Sequence, residues 1–486
     1  MLLLVGLTVG ISAALTPGDV SLQSARVTVS VGVLTLLAIW VLARPSHGVL
    51  LIILFSVIAD NQTMWWYPAL KNFSSRESLL YISDKLPINP VEALLVLATI
   101  SWLARRRSDP DWHFHRGQLL FPIGVLTAWV IFGMFYGLLL KGGDRTAGLW
   151  EARPFFYLPL MYVLITNLFT RSRMYVWAMW LVMLGVTIQS IVSVGHYLNL
   201  DLAEREARQD LTEHAASVPI NAMIVMLLAA YLFPRSPVLM RIALPLMAIP
   251  SIWAYFLAER RSAFVGLALG VILLSVILFW LRRRAFWVFV PLVALAAVAY
   301  VAAFWNSTSP LGFPAQAVKS VIAPGQLTGE DRSSDIYREL EGRNVWFTIR
   351  SRPLTGVGYG HVFYQLYALP DISFFQFWQF MPHHSFLWIW LKTGYFGFVS
   401  MLFLTIRTIQ RGVRTVFRVA DSGERVVTIT ALLFVCMYLV FSYVDIAWDM
   451  RSMVLLALSM AICADMVPEE PAPVEPRAPS QTTLVA

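Results

Sequence analysis

Apolar runs recur near residues 2–15, 27–43, 48–59, 90–103, 118–140, 155–170, 175–197, 218–233, 239–257, 263–281, 286–305, 385–405, 426–443 and 450–466. A helix needs about 20 predominantly apolar residues to cross the hydrocarbon core of a bilayer. The pattern predicts an all-α polytopic membrane protein of twelve to fourteen transmembrane helices, the spread coming from the short runs before residue 60. The one long polar interruption is 306–384. It separates an N-terminal helical domain (1–305) from C-terminal helices over 385–467 and a tail over 468–486. The tail, rich in Pro and Glu, is expected to be disordered and cytoplasmic. The first run lacks the basic flank of a cleaved signal peptide and reads as a short or tilted membrane helix. No internal repeat suggests a solenoid or a duplicated transporter half.

Within the long polar segment, 331–352 reads as an amphipathic helix. Leu340, Val345, Trp346 and Ile349 can share one face, with Arg338, Glu341 and Arg352 elsewhere. Pro353 ends it, and a turn built on Gly356, Gly358 and Gly360 follows. The aromatic run Phe374 to Phe380 suits a membrane interface.

Composition agrees with the pattern: 58% of residues are apolar, far above a soluble domain. The formal net charge of +8 does not point to nucleic acid, because the arginines sit in short clusters between apolar runs. Arg105, Arg106, Arg107 and Arg116 form one cluster, Arg171 and Arg173 another, and Arg282 to Arg284 a third. Arg407, Arg411, Arg414, Arg418 and Arg425 form the last. All fall on one side when the runs are counted, which makes that side cytoplasmic. The opposite side then carries 60–89, 141–154, 198–217, the tight turn 258–262 and the loop 306–384. Cys436 and Cys463 both lie inside apolar runs, against a disulfide framework or a zinc site.

Four polar sets concentrate on that opposite side. Glu151 and Arg153 precede the run at 155, Glu259, Arg260 and Arg261 fill the tight turn, and Arg343, Arg350 and Arg352 lie on or beside the amphipathic helix. His383 and His384 open the run at 385. Singly, each has a structural reading: a snorkelling arginine, an internal ion pair, a solvated face, a helix-start hydrogen bond. Together they suit transfer from a lipid-linked pyrophosphate. Guanidinium forks donate paired hydrogen bonds to phosphoryl oxygens, and a neutral imidazole can accept a proton from a hydroxyl. His361, His383 and His384 make a poor zinc set, since adjacent histidines diverge on a helix and no Cys or Asp joins them.

The order Arg343-x-x-Trp346, Pro353-Leu354-Thr355-Gly356-Val357-Gly358-Tyr359-Gly360, His383-His384-Ser385 and Gly394-x-x-Gly397 resembles the O-antigen ligase and polymerase superfamily. Its members carry a glycine turn followed by a histidine, a polar residue and, after nine residues, a G-x-x-G pair. His384 stands where Asn, Ser or Gln is usual. Arg261-Ser262-Ala263 resembles the family's earlier turn, with Arg260 where serine is common, and Arg153 matches an earlier functional arginine by position. The resemblance implies a GT-C-like glycosyltransferase of the bacterial inner membrane that needs no metal and no other cofactor. It would take glycan from an undecaprenyl-pyrophosphate-linked donor to a glycan or lipid A core acceptor at the periplasmic face, with inversion. In that scheme His383 is catalytic, with His384 a possible accessory. Arg153, Arg260, Arg261 and Arg343 bind the donor pyrophosphate, and Pro353, Gly356, Gly358, Gly394 and Gly397 shape the motif. Composition, apart from the resemblance, suggests that the aromatic run Phe374 to Phe380 lines the lipid or sugar entrance. Polymerase is favoured over ligase. Attachment of glycan to protein and transport of a lipid-linked sugar remain as alternatives, and Lys392 is the clearest charge well inside a run.

Overall fold

The computed structural model describes residues 20–58, 89–108, 113–201, 214–258, 260–307, 309–326, 329–372, 377–419 and 422–466. The first apolar run, residues 60–88, Glu259, Phe374, Phe375 and the tail from Pro468 lie outside the described residues. The described chain is all-helical, with no strand. In order the helices are α1 (Val20–Ala43), α2 (Pro45–Ile58), α3 (Pro90–Ser108), α4 (Leu120–Met134), α5 (Arg145–Leu168), α6 (Ser172–Asn199), α7 (Ser217–Leu232) and α8 (Val238–Leu257). There follow α9 (Arg261–Leu281), α10 (Arg283–Phe304), α11 (Phe313–Ile322), α12 (Gly329–Ser351), α13 (Ser385–Arg418), α14 (Gly423–Val444) and α15 (Met450–Asp465).

Thirteen of these helices coincide with predicted apolar runs; α11 and α12 belong to the polar interruption. Among the described residues seven helical segments are long and apolar enough to cross a membrane by length and composition, the first being α4 with its π-helical extension Phe135–Leu140. The protein is a multi-pass, all-α membrane protein. Burial grades the bundle. In α15 every residue from Arg451 to Asp465 is buried, and α14 is buried along most of its length. Of α10, by contrast, only Phe289 is buried, so its apolar surface faces outward. A helix apolar all round belongs in a core or in lipid, and these two cases show both.

Two helices differ in extent from their apolar runs. The α5 helix starts at Arg145, where Asp144 accepts a 2.7 Å hydrogen bond from the Ala147 N–H as its N-cap. Glu151 and Arg153 are therefore helical residues well inside α5 rather than a lead-in to it. The α13 helix runs to Arg418, 34 residues or about 51 Å of helix. That exceeds a hydrocarbon core of about 30 Å, so Arg407, Arg411, Arg414 and Arg418 ride on its extension.

A break in α13 positions the glycine turn. Gly394 has φ 74° and ψ −175°, a conformation essentially confined to glycine. Helical bonding fails there: the Leu391 carbonyl takes the Val357 N–H at 2.7 Å, and the Tyr395 N–H goes to the Pro353 carbonyl at 3.0 Å. On the other side, the Tyr359 N–H reaches the Gly133 carbonyl of α4 at 3.2 Å, beside the π turn. Gly133 and Gly137 supply the room, since a side chain at Gly137 would overlap the Tyr359 backbone. The Gly356–Gly360 turn is thus inserted between α4 and α13, about 13 Å along α13 from its first residue. Non-helical backbone at such depth is tolerated when protein groups satisfy it.

Candidate active site

Glu151 and Lys392 secure this insertion. Both side chains are fully buried, and the ammonium lies 2.7 Å from the carboxylate. Glu151 also accepts from the Gly360 N–H at 2.8 Å and from Trp388 Nε1 at 3.2 Å. Lys392 Nζ donates to the His361 carbonyl at 2.6 Å. The one charge read well inside a run is therefore half of an ion pair that ties α5, α13 and the glycine turn together. His361 is occupied in the same joint, its Nε2 3.1 Å from the Gly137 carbonyl, and burial pushes its pKa down.

The histidine pair sits where α13 begins, and its two members are held differently. Glu341 of α12, only 1% exposed, accepts from the His383 backbone N–H at 2.8 Å. The same carboxylate lies 3.1 and 3.2 Å from His383 Nδ1. Tyr337, one turn earlier, points its hydroxyl at Glu341 and sets its ring edge-on to His383 at 5.6 Å. Burial, then the Glu341 charge, push the Tyr337 phenol up, so it stays a donor. A carboxylate beside Nδ1 puts the imidazole proton on Nδ1 and leaves the Nε2 lone pair as the acceptor. His383 is 21% exposed, so that face of the ring can be reached.

His384 is the N-cap of α13. Its Nδ1 accepts from the Leu387 N–H at 3.3 Å, as an Asn or Ser oxygen would. That leaves the proton on Nε2, the opposite tautomer to His383. Burial lowers the His384 pKa and favours this neutral form. Behind the pair, Ser385 Oγ donates to the Asp445 carbonyl at 2.7 Å and accepts from the Ala447 N–H at 3.0 Å, fixing the start of α13 to the α14–α15 turn.

Arginines reach this region from α9 and α12. Arg261 forms a two-pronged pair with Asp335 of α12, at 3.0 and 3.2 Å. Arg260, immediately before α9, lies within electrostatic range of Asp445 and of Arg338. Burial pushes the Arg260 guanidinium down to about 10; Asp445 opposes this and Arg338 adds to it. Arg338 is one turn before Glu341, and the sequence analysis had not selected it.

Two predicted arginines are engaged elsewhere. Arg343, two residues beyond Glu341, pairs with Glu339 at 2.6 Å on an exposed face and lies over the Tyr367 ring. Arg153 pairs through two nitrogens with Glu92 of α3, which also accepts from the Tyr157 hydroxyl. The aromatic run enters the described residues at Phe377, whose ring stacks on Trp150 of α5 at 4.6 Å. Among the described residues no group of three or more His, Cys, Asp and Glu side chains could hold a metal ion.

No curated protein matches the chain. The family model described as O-antigen ligase matches residues 246–402, from within α8 to the second half of α13. That stretch contains Arg260, Arg261, Glu341, the glycine turn, His383 and Gly394. The motif resemblance and this match agree: residues 246–402 match an O-antigen ligase domain, which supports the O-antigen ligase and polymerase superfamily for that part of the chain.

Proposed function

We propose that the protein is a glycosyltransferase that uses a glycan linked to undecaprenyl pyrophosphate, at the periplasmic face of the bacterial inner membrane. The observation that carries this reading is the Glu341–His383 pair, a buried carboxylate 3.1 Å from Nδ1 of a partly exposed imidazole, which would keep the Nε2 lone pair available to a substrate. An acceptor hydroxyl gives its proton to His383 Nε2 while its oxygen bonds to the anomeric carbon. The bond from that carbon to the pyrophosphate oxygen breaks, and undecaprenyl pyrophosphate leaves with the electron pair. Inversion follows if oxygen and leaving group occupy opposite faces of the sugar. In this reading Arg260, Arg261 and Arg338 take up the growing negative charge, the largest service a preorganised site can give to such a step. Glu341 is a positioning residue, holding the tautomer and stabilising the imidazolium, as a carboxylate does for histidine in hydrolytic triads.

Polymerisation of lipid-linked repeats is the reading adopted. Ligation to lipid A core is the second reading, favoured by the description of the matched family. Purified protein offered a single lipid-linked repeat separates them: a ladder of lengths supports polymerase, and transfer only to a core acceptor supports ligase. The shared chemistry is tested by His383→Ala and Glu341→Gln in the source bacterium, with membrane levels checked. His383→Ala abolishes long glycan, and Glu341→Gln lowers turnover by about 10²–10⁴-fold, the scale of losing a tautomer-fixing carboxylate. Normal glycan from both variants rejects the mechanism.

A further inference from the structure

We infer that Tyr443 and His384 form a saccharide-binding platform beside the catalytic base. The inference rests on the glycosyl-transfer reading and names a subsite within it. Tyr443 ends α14 and its side chain is 62% exposed, unusually open for a tyrosine beside a buried helix start. Its ring centroid is 4.5 Å from that of His384, with an interplanar angle of 62°. The two rings therefore meet edge to face and leave an aromatic surface open.

Both halves are rigid. His384 is pinned by its cap bond to Leu387 and flanked by Phe386 at 6.3 Å. Tyr443 is carried two residues before Asp445, whose carbonyl holds Ser385 at 2.7 Å. The platform is thus clamped by backbone to the histidine whose neighbour is the base. Its chemistry suits a sugar ring, which presents an apolar C–H face and a rim of hydroxyls. The Tyr443 ring offers an apolar surface with a hydroxyl at its tip. His384 Nε2 offers a neutral N–H donor, because its cap bond commits Nδ1 as acceptor. An Asn or Ser at 384 would cap the helix equally but bring no ring. Histidine at this position therefore adds half of the platform without disturbing the helix start. A sugar stacked there lies next to His383, where its hydroxyl can meet Nε2.

The test uses the full chain in nanodiscs, with the lipid-linked glycan extracted from the source bacterium as donor and the acceptor glycolipids of the same membranes. Tyr443→Ala is expected to raise KM about tenfold, the scale of one lost aromatic contact, with kcat held within about twofold. Tyr443→Phe, which keeps the ring, recovers most of that loss. His384→Asn, which keeps the cap, raises KM about fivefold. A Tyr443→Ala protein with wild-type KM overturns the platform, as does one whose only defect is a lower membrane level, which would make Tyr443 an interfacial anchor. A His383→Gln control separates the two layers. If it transfers glycan normally, or if the wild-type protein transfers none, the glycosyl-transfer reading falls and the platform with it. If it is inactive while Tyr443→Ala is unaltered, only the platform falls.

Discussion

Removing Glu151 alone from the Glu151–Lys392 pair should cost more stability than removing both members. The pair is fully buried at 2.7 Å, and each partner has further obligations. In Lys392→Met, the Glu151 carboxylate keeps two donors, the Gly360 N–H and Trp388 Nε1, while the His361 carbonyl loses its ammonium. Breaking a buried pair by removing one partner costs about 3–5 kcal/mol, and the surviving donors put this variant near the lower end. Glu151→Leu is worse. It leaves the ammonium only the His361 carbonyl and the Phe380 ring and orphans both donors, which places it at about 5 kcal/mol. The double variant holds no buried charge. It leaves one N–H on the turn, one on Trp388 and one carbonyl unpaired, and is expected near 3 kcal/mol, less than Glu151→Leu alone. The assay is unfolding in mixed micelles followed by tryptophan fluorescence, with the coupling energy taken from the cycle of four proteins. A double variant as destabilised as the sum of the singles would refute the pairing and, with it, the account of how the glycine turn is held.

Two further predictions concern the polar end. Arg338→Ala should reduce glycan transfer at least tenfold at normal membrane levels, whereas Arg343→Ala, which breaks an exposed i, i+4 pair and a surface contact with the Tyr367 ring, should change it less than threefold; the comparison is read from glycan length and amount on gels, and equal effects would remove Arg338 from the anion site. His384 has a folded pKa below its ordinary 6.5, so the unfolded chain binds the proton first and stability is lost as pH falls from above 6.5 toward the folded value. Thermal midpoints measured between pH 8 and 5 should therefore drop more steeply for the wild-type protein than for His384→Asn, and parallel curves would contradict the neutral cap.

The parts of this fold that depend on local pattern were legible in the sequence. Apolar runs located thirteen described helices, because lipid leaves a chain little choice but to satisfy its backbone internally. The glycine turn and Gly394 were legible for a related reason, since positive φ at Gly356, Gly358, Gly360 and Gly394 restricts the residue type. Their meeting was not. The exchange of Leu391 and Pro353 carbonyls links segments 34 and 42 residues apart, and periodicity carries no information on which break in a helix receives which turn. Gly133 and Gly137 had a faint signal, a pair of small residues four apart in an apolar run, that the motif reading passed over.

The site shows the same division. The motif singles out His383 as the candidate base, whereas the helix pattern puts Glu341 merely off the apolar face of an amphipathic helix. An acidic residue is assigned to solvent unless a partner is known, and the partner lies 42 residues away. The choice of Arg343 over Arg338 followed from reading the motif spacing without the helix face. Around α12, residues 335, 338 and 341 repeat every three positions and share a side. Once Glu341 faces His383, Asp335 and Arg338 are turned toward α9, and Arg343 must point away. One buried carboxylate therefore orders the whole polar end. It holds the His383 ring at Nδ1 from the same helix on which Asp335 pairs with Arg261 and Arg343 keeps its surface pair with Glu339. A single substitution at Glu341 should release the His383 ring and its backbone N–H together, which distinguishes it from any arginine variant, where that anchor stays in place.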